Sequence, residues 1–123
     1  MADSKAKIEA GIDILERERI KKAIISYGNR FLKRIFTQQE ISSFPEKKEL
    51  YFSIGFSLKE AFWKTLPSRI QKKTYFDDIE VIWKNNNPEI FLSGKKAKNI
   101  HTSLFFDEKV VMTSVMRQRK RTS

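Results

Sequence analysis

Apolar positions at the start of the chain change from a strand-like to a helix-like spacing. Residues 7–15 are rich in β-branched side chains, which predicts a short strand ending near Asp13. The following apolar residues recur at helical spacing and predict a helix over 16–27 that stops at Gly28. A further helical turn is predicted over 31–35. The residues that carry the helical spacing are Ile20, Ile24, Tyr27 and Phe31.

The middle of the chain carries the longest apolar stripe. Thr37 and Glu40 have the spacing of a capping box, in which each side chain satisfies a free amide at the start of a helix. Pro45 suits the first turn of a longer helix, which is predicted over 46–66 and ended by Pro67. The apolar stripe of this helix consists of Ile54, Leu58, Ala61, Phe62 and Leu66.

From residue 77 onward the apolar period is two, which is typical of strands with one buried face. The elements predicted here are a strand with Ile79, Val81 and Trp83 on one face, a turn at 85–88, a strand over 89–92, a short helix over 94–99 and a hairpin of strands 101–105 and 110–116. The order is one strand, three helices and then antiparallel strands. It predicts an α+β fold in which a small sheet packs on the long helix.

The composition narrows the kinds of site that the chain can build. A length of 123 residues fits one domain spanning 1–123. With no cysteine and a single histidine, His101, the chain has no disulfide, thiolate nucleophile or multi-histidine metal site. It has no apolar run of membrane-spanning length, and its first residues lack the apolar core of a signal peptide. We therefore expect a cytoplasmic protein with no membrane partner.

Basic residues outnumber acidic ones and give a formal net charge of +10. This excess favours an anionic partner: a nucleic acid, an acidic protein or a phosphorylated small molecule. A solvated basic surface is the simpler alternative. Part of the charge lies in the run 117–121, and we expect residues 1–6 and 117–123 to form flexible ends.

Asp13 and Glu60 each stand inside an apolar run, where burying an unpaired carboxylate is costly. If the fold brings them together, they are a suitable ligand pair for Mg²⁺, which uses one or two protein carboxylates together with water and substrate phosphates. A simpler alternative also fits the residues. In it, Asp13 caps the helix that follows, and Glu60 pairs with Lys64 one helical turn later. Composition and spacing leave both interpretations open.

Several short motifs follow one another in order along nearly the whole chain. They are Gly11-Ile12-Asp13-Ile14-Leu15-Glu16, Arg19-Ile20, Arg34-Ile35-Phe36-Thr37 with Glu40, Phe56-Ser57-Leu58-Lys59-Glu60-Ala61 with Lys64, Asp78-Ile79-Glu80-Val81, and Pro88-Glu89-Ile90-Phe91-Leu92-Ser93-Gly94. Each motif alone is weak. In this order the chain resembles the holo-acyl-carrier-protein synthase family, the short single-domain 4′-phosphopantetheinyl transferases.

The resemblance implies a reaction and a set of site residues. Members of this family move the phosphopantetheine arm of coenzyme A onto a serine of an acyl carrier protein, for fatty acid synthesis. By position, Asp13 and Glu60 are then expected to bind Mg²⁺, with Glu60 and Lys64 as the catalytic residues. Lys64 and Lys59 are expected to contact coenzyme A, although a solvated helix lysine is an equal alternative for Lys59.

The resemblance also implies partners. Arg19 matches a family arginine that meets the acidic helix of the carrier protein, which gives the net charge of +10 a function in steering that partner. Members of this length are commonly trimers with coenzyme A between subunits. The large apolar residues expected at such an interface are Trp83, Phe91 and Phe105, and ordinary core packing is the alternative for them.

The chain departs from the family at two places in the site. Phe105 and Phe106 occupy the positions of a Ser-His pair, and His101 lies outside the family's histidine position. The glycine-rich turn after the family lysine is replaced by a glycine-free segment that begins with Pro67. Two alternative functions therefore stay open. One is a catalytically weakened or inactive relative that binds carrier protein or coenzyme A. The other is a basic nucleic-acid-binding protein, although the sequence contains no nucleic-acid motif.

Overall fold

The computed structural model describes residues 6–120. In chain order the elements are β1 (Ala6–Glu16), α1 (Arg17–Tyr27), α2 (Asn29–Ile35), α3 (Gln38–Ser43), α4 (Glu49–Trp63), α5 (Ser68–Gln71), β2 (Ile79–Lys84), β3 (Asn87–Leu92), β4 (Lys95–Lys96), β5 (Ile100–Phe106) and β6 (Val110–Lys120). A single 3-10 turn, Phe76–Asp78, precedes β2.

The strands form two antiparallel sheets rather than the one small sheet predicted. The first has the order β1-β6-β5 and the second the order β2-β3-β4. There are two sheets because β1 pairs with β6 along its whole length and so joins the two ends of the described chain. Strands β2 to β4 pair only with one another and form a separate meander. The α+β class is confirmed.

Helix α4 is the centre of the hydrophobic core. Its apolar stripe, including Ile54, Leu58 and Phe62, is buried against β2, β3 and the inner face of the first sheet, where Val111 and Val115 lie. A second cluster joins α1, α2 and α3 to the opposite side of α4. Its buried members are Leu15, Ile20, Ile35, Phe36, Phe44 and Phe52. The stripe that the sequence predicted is therefore the one that positions the remaining elements.

Local signals predicted most element ends to within a few residues. Thr37 and Glu40 form the predicted capping box at the start of α3, and Asn85 and Asn86 turn β2 into β3 with φ of 50° and 63°. The long helix is shorter than predicted, because Pro45 precedes it by several residues and it ends at Trp63. Its predicted extension to 66 is wrong.

Two predictions in the last third of the chain are wrong. Residues 94–99 are not helical, since Ser93 and Gly94 have positive φ and turn β3 into the short strand β4. The predicted flexible end does not begin at 117, because residues 117–120 continue β6 in register with β1. Arg117 also donates hydrogen bonds to the carbonyl oxygen of Thr65 at 2.5 Å and to its hydroxyl at 3.3 Å. Residues 1–5 and 121–123 lie outside the described residues.

The outer face of the first sheet is apolar and is not covered by any element of the described chain. The large side chains exposed there are Ile8, Ile12, Ile14, Phe105, Met112 and Met116. The cross-strand register places Ile14, Met112 and Phe105 in one row across the sheet. Within residues 6–120, no helix has the length and apolar character needed to cross a membrane.

Candidate active site

The two carboxylates predicted to share a site meet where β1 crosses α4. Gly11 lies so close to this helix that a Cβ added there would be 1.9 Å from the carbonyl oxygen of Ala61. Asp13 follows Gly11 on the same face of β1, and Glu60 precedes Ala61 on the helix. Burial, together with the negative charge of Asp13, raises the pKa of Glu60. The fold therefore holds two carboxylates within mutual electrostatic reach.

Cations surround this pair. Lys64 donates a hydrogen bond from Nζ to the carbonyl oxygen of Ile12 at 2.7 Å, and its Nζ lies 3.5 Å from Oδ1 of Asp13. The positive charges of Lys64 and Arg19 act on Glu60 in the direction that lowers its pKa, without offsetting burial and Asp13. Asp13, Glu60, Lys64 and Arg19 thus form one charged cluster at the end of α4.

The simpler alternative for the two carboxylates does not match this geometry. The residue before α1 is Glu16, which makes no side-chain capping bond, whereas Asp13 lies within β1 opposite Thr113. The ion pair of Lys64 in the described chain is with Asp13, not with Glu60. Thr113 also exchanges a buried 2.7 Å hydrogen bond with Ser57 of α4, which fixes the strands against the helix beside Asp13.

The donor set at this position suits a cation that is only partly ligated by protein. Among residues 6–120 there is no cluster of three or more His, Cys, Asp or Glu side chains that could enclose a metal ion. Asp13 and Glu60 supply hard oxygen donors, and burial, with a further contribution from the charge of Asp13, raises the pKa of Glu60. Two carboxylates leave most coordination positions of a metal ion to water and substrate. This arrangement is typical of Mg²⁺ sites, whereas a structural metal site is enclosed by protein ligands.

Lys59 is buried, whereas the sequence analysis placed it at the surface. Its side chain is 0 % exposed, and its ammonium group donates to the carbonyl oxygens of Ile35 and Phe76 and to Oε1 of Glu40, the latter at 2.7 Å. All three ammonium protons are therefore used within the protein. The predicted contact of Lys59 with coenzyme A has no free ammonium proton in this geometry, and the alternative of a solvated lysine is wrong. Both assumed a surface position, whereas the fold turns this side chain inward.

A cavity of about 270 Å³ opens beside Glu60. We call it the Glu60 cavity; its lining residues are Lys59, Glu60, Trp63, Thr74, Tyr75, Phe76 and Ile79. One wall is α4 and the other is the segment 74–79. Its lining is mainly apolar and aromatic, so it suits the uncharged part of a ligand whose charged part lies at the carboxylates.

The glycine-free segment after α4 is held by a reciprocal pair of hydrogen bonds. The indole Nε1 of Trp63 donates to the carbonyl oxygen of Gln71 at 3.1 Å, and the amide Nε2 of Gln71 donates to the carbonyl oxygen of Trp63 at 2.9 Å. Pro67 is the N-cap of α5 between them. Side-chain bonds thus shape a segment that glycines shape in the family pattern, and neither partner was identified from the sequence.

The residues at the family's Ser-His positions lie apart from the carboxylates within one chain. Phe106 is opposite Val111, whereas Asp13 is opposite Thr113, and β6 separates the strands that carry Phe106 and Asp13. Phe106 instead lines a different cavity, together with Tyr51 and Trp83. His101 is exposed on the outer face of the first sheet, opposite Met116.

A basic and aromatic surface lies on α1 and α2. Arg19 is exposed on α1 as predicted. A cavity of about 420 Å³ is lined by Tyr27, Arg30, Phe31 and Arg34, which the sequence analysis did not select as site residues. Arg30, Phe31 and Arg34 have the spacing of one face of α2, which was the signal available in the sequence, and Tyr27 ends α1 beside them.

Comparisons with known proteins agree with this architecture. The profile described as 4′-phosphopantetheinyl transferase superfamily matches residues 9–114. A curated holo-[acyl-carrier-protein] synthase of Lactobacillus johnsonii is 34 % identical over 86 % of this chain and 92 % of its own length. One from Geobacillus is 31 % identical over 91 % and 97 %, respectively.

Solved structures extend the agreement to three dimensions. The Helicobacter pylori holo-[acyl-carrier-protein] synthase in complex with coenzyme A superposes with a TM-score of 0.73 at 29 % identity, covering 86 % of this chain and 96 % of that one. The Bacillus anthracis holo-(acyl-carrier-protein) synthase gives 0.71 at 25 % identity, with coverage of 90 % and 96 %. This chain therefore belongs to the 4′-phosphopantetheinyl transferase superfamily and, within it, to the transferases of the holo-acyl-carrier-protein synthase family.

Proposed function

We propose that this chain transfers the 4′-phosphopantetheine group of coenzyme A to a serine of an apo acyl carrier protein, in a Mg²⁺-dependent reaction that serves fatty acid synthesis. The observation that carries the proposal is the meeting of Asp13 and Glu60 at the crossing of β1 and α4. Family membership supports the transfer, and the names of the relatives supply the carrier protein and coenzyme A as substrates.

Asp13 and Glu60 are the residues that would hold Mg²⁺. Both provide hard oxygen donors, and a bound cation would offset the two effects that raise the pKa of Glu60, its burial and the charge of Asp13. When bound there, Mg²⁺ supplies positive charge that neutralises and orients the diphosphate of coenzyme A.

Lys64 and Glu60 are the proposed catalytic residues. In the reaction the serine oxygen attacks the phosphorus that carries the pantetheine arm, and adenosine 3′,5′-bisphosphate leaves. Lys64 already lies 3.5 Å from Asp13 and is partly exposed, so its ammonium is available to a phosphate beside the carboxylates. There it stabilises negative charge that develops on the phosphate oxygens. The Glu60 cavity accommodates an uncharged part of coenzyme A next to this cluster.

The carrier protein is proposed to dock on the basic surface of α1 and α2. Arg19 is exposed and acts electrostatically on Glu60, so this surface adjoins the charged cluster. Arg30 and Arg34 extend the positive surface along α2. With a net charge of +10, the chain attracts an acidic partner. Because the basic surface adjoins the charged cluster, a partner docked there has its serine near the reacting phosphate.

The uncovered outer face of the first sheet is proposed to assemble the chain into a homotrimer. A face with Ile12, Ile14, Phe105 and Met112 exposed is unfavourable in water and is stabilised when another copy covers it. Of the three interface residues predicted earlier, Phe105 is on this face and 58 % exposed, whereas Trp83 packs on both core clusters. Sedimentation at equilibrium should give three times the chain mass; a monomer would contradict this part of the proposal.

A catalytically weakened relative is the second candidate, because Phe105 and Phe106 replace the family's Ser-His pair. General acid–base catalysis typically contributes about 10²–10⁴-fold, so its loss slows a transferase without removing the other effects. The variant Phe106→His distinguishes the candidates. A rise of the transfer rate supports the weakened relative, and an unchanged rate shows that the missing histidine does not limit this enzyme.

The transfer assay tests the proposed function. The protein is incubated with coenzyme A, Mg²⁺ and several apo acyl carrier proteins, and the intact mass of each carrier protein is measured. We expect the phosphopantetheine mass increment on at least one of them. Binding of coenzyme A without any increment would support an inactive relative instead.

A further inference from the structure

Lys59 and Glu40 form an ion pair that is entirely enclosed by the protein. Both side chains are 0 % exposed, and Nζ of Lys59 lies 2.7 Å from Oε1 of Glu40. The same ammonium donates to the carbonyl oxygen of Ile35, at the end of α2, and to that of Phe76 at 2.9 Å. It also lies 4.8 Å from the ring centroid of Phe36. One buried group therefore ties α4 to three other segments.

The carboxylate of Glu40 extends this junction to β2. Its Oε1 also accepts the backbone N–H of Thr37 at 3.0 Å, and its Oε2 accepts the backbone N–H of Val81 at 2.8 Å. Both members of the pair thus have their polar atoms satisfied, which a buried ion pair requires. The junction fixes the C-terminal end of α2, the start of α3, the middle of α4 and the segment 76–81 in one arrangement.

Stability alone does not account for a charged pair at this position. Burial raises the pKa of Glu40 and lowers that of Lys59, because both charged forms lose hydration. Well-packed apolar residues of similar volume commonly replace such pairs without loss of stability. What they cannot reproduce is the directed bond from Lys59 to the carbonyl oxygen of Phe76.

That bond joins the two walls of the Glu60 cavity. Lys59 immediately precedes Glu60 on the α4 wall, and Phe76 belongs to the opposite wall. The ring of Phe76 is also stacked on Phe56 of α4, with ring centroids 5.0 Å apart. The Lys59–Phe76 bond is therefore the polar contact, and the Phe56–Phe76 stack the apolar contact, that set the separation of the two walls.

We propose that Lys59 is a positioning residue for coenzyme A: by bonding the carbonyl oxygen of Phe76, it holds the second wall of the Glu60 cavity at a fixed distance from the helix that carries Glu60. The inference rests on the proposed function in taking coenzyme A as the ligand. Glu40 balances the buried charge of Lys59 and so stabilises the junction, while the carbonyl oxygens of Ile35 and Phe76 direct the ammonium. The ammonium group of Lys59 contacts neither the substrate nor the reacting atoms, because its three protons are used within the protein.

The test compares three full-length variants. Lys59→Met/Glu40→Gln removes both charges and the bond to Phe76, while keeping similar volumes. Glu40→Gln removes the partner charge but leaves Lys59 its two carbonyl acceptors. Glu49→Gln is the matched control, because it breaks the ion pair with Arg17 at the other end of α4. For each variant we measure thermal stability, kcat, the KM for coenzyme A and for carrier protein, and the Kd of coenzyme A by calorimetry.

We expect Lys59→Met/Glu40→Gln to raise the KM and the Kd for coenzyme A by about tenfold, with the KM for carrier protein unchanged, because small displacements of a positioned ligand have large effects. Glu40→Gln and Glu49→Gln should lower the melting temperature but leave the Kd for coenzyme A unchanged. If the double variant does not fold, Lys59→Gln/Glu40→Gln, which keeps a neutral polar pair and leaves no unpaired buried charge, supplies the same comparison.

A folded Lys59 variant that binds coenzyme A as tightly as wild type would overturn the inference and leave the proposed function standing. Wild type that binds coenzyme A but transfers nothing would overturn the proposed function, while the Kd comparison would still decide the role of Lys59. Wild type without affinity for coenzyme A would overturn both.

Discussion

Gly11 and Ala61 bring the backbone of β1 into direct contact with that of α4, with no side chain between them. A Cβ at Gly11 would lie 1.9 Å from the carbonyl oxygen and 2.9 Å from the carbonyl carbon of Ala61, distances that no real side chain tolerates. Glycine is needed here for close approach of two backbones and not for an unusual φ. The contact brings Asp13 and Glu60 together, so a position with no chemistry of its own determines the geometry of the site.

Gly11→Ala should therefore impair both folding and transfer. The added methyl must push β1 away from α4, and overpacking of this kind typically costs about 1–3 kcal/mol in the free energy of unfolding. We expect the transfer rate of the folded protein to fall as well, because Asp13 moves with β1. Denaturant unfolding and the transfer assay measure the two effects.

Gly94→Ala is the matched control for this prediction. Gly94 has a φ of +84° but no heavy atom within 4 Å of an added Cβ, so the substitution strains a turn remote from the site. It should lower stability without changing the transfer rate. Gly11→Ala with a wild-type transfer rate would show that the close approach at Ala61 does not set the site.

Glu60→Gln should abolish transfer while leaving the protein at least as stable as wild type. Because burial and Asp13 raise the pKa of Glu60 in the folded state, its charged form costs stability at neutral pH, and a neutral glutamine removes that cost. Binding of Mg²⁺ to the wild type should raise the melting temperature by mass action, and this rise should be absent from the variant. Thermal unfolding with chelator and with added Mg²⁺ measures both effects.

Glu89→Gln serves as the control for the metal effect. Glu89 pairs with Lys96 at 3.2 Å on the second sheet, so its loss should leave the Mg²⁺-induced rise of the melting temperature intact. A Glu60→Gln variant that Mg²⁺ still stabilises as much as wild type would remove Glu60 from the proposed ligands.

Arg17 and Glu49 should make stability depend on pH in the acidic range. Burial alone would raise the pKa of Glu49, but hydrogen bonds from Arg17 and Ser53 and the charge of Arg17 outweigh it and lower the pKa below the usual 4.5. A lowered folded-state pKa means that the stabilisation is present above 4.5 and is lost as the pH falls through the folded-state value. The wild type should thus be more stable than Glu49→Gln at neutral pH by about 1.5–3 kcal/mol, as for hydrogen bonds to charged groups.

The difference in the free energy of unfolding between these two proteins should shrink progressively as the pH falls below 4.5. Urea unfolding at a series of pH values measures it. A difference that stays constant across this range would mean that Arg17 does not stabilise the ionised form of Glu49.

Arg19→Glu should weaken the use of carrier protein without affecting coenzyme A. Reversing an exposed charge on the proposed docking surface slows encounter with an acidic partner, so the KM for carrier protein should rise and its dependence on salt should become weaker. The Kd of coenzyme A should not change. Lys95→Glu, an exposed charge reversal on the second sheet, is the control with the same change in net charge. Equal KM values for the two variants would indicate an effect of net charge alone.

Predictions from sequence succeeded where the signal is local. The capping box of Thr37 and Glu40 needs only residues three apart, and the Asn85-Asn86 turn needs only two neighbours, so both were correct. The apolar stripe of α4 was identified because its period is a property of one segment. The resemblance added Asp13 and Glu60 as a pair, which spacing alone left undecided.

The errors concern residues whose environment is set by distant segments. Lys59 was expected at the surface, but its partner Glu40 and the carbonyl of Phe76 come from other elements, and no local pattern reports them. Residues 117–120 appeared as a charged end because their pairing partner, β1, lies at the opposite end of the chain. The basic surface with Arg30 and Arg34 was overlooked because their aromatic neighbour Phe31 was considered only as a carrier of the helical spacing.

The mass of an apo acyl carrier protein after incubation with coenzyme A is the most direct test of the central claim, that Asp13 and Glu60 hold a cation for phosphopantetheine transfer. The enzyme is first stripped with a chelator and then assayed with and without added Mg²⁺, alongside Asp13→Asn and Glu60→Gln. We predict the phosphopantetheine increment only for wild type with Mg²⁺. Transfer at the rate of wild type with Mg²⁺ by both folded variants, or by the stripped wild type without Mg²⁺, would contradict the account.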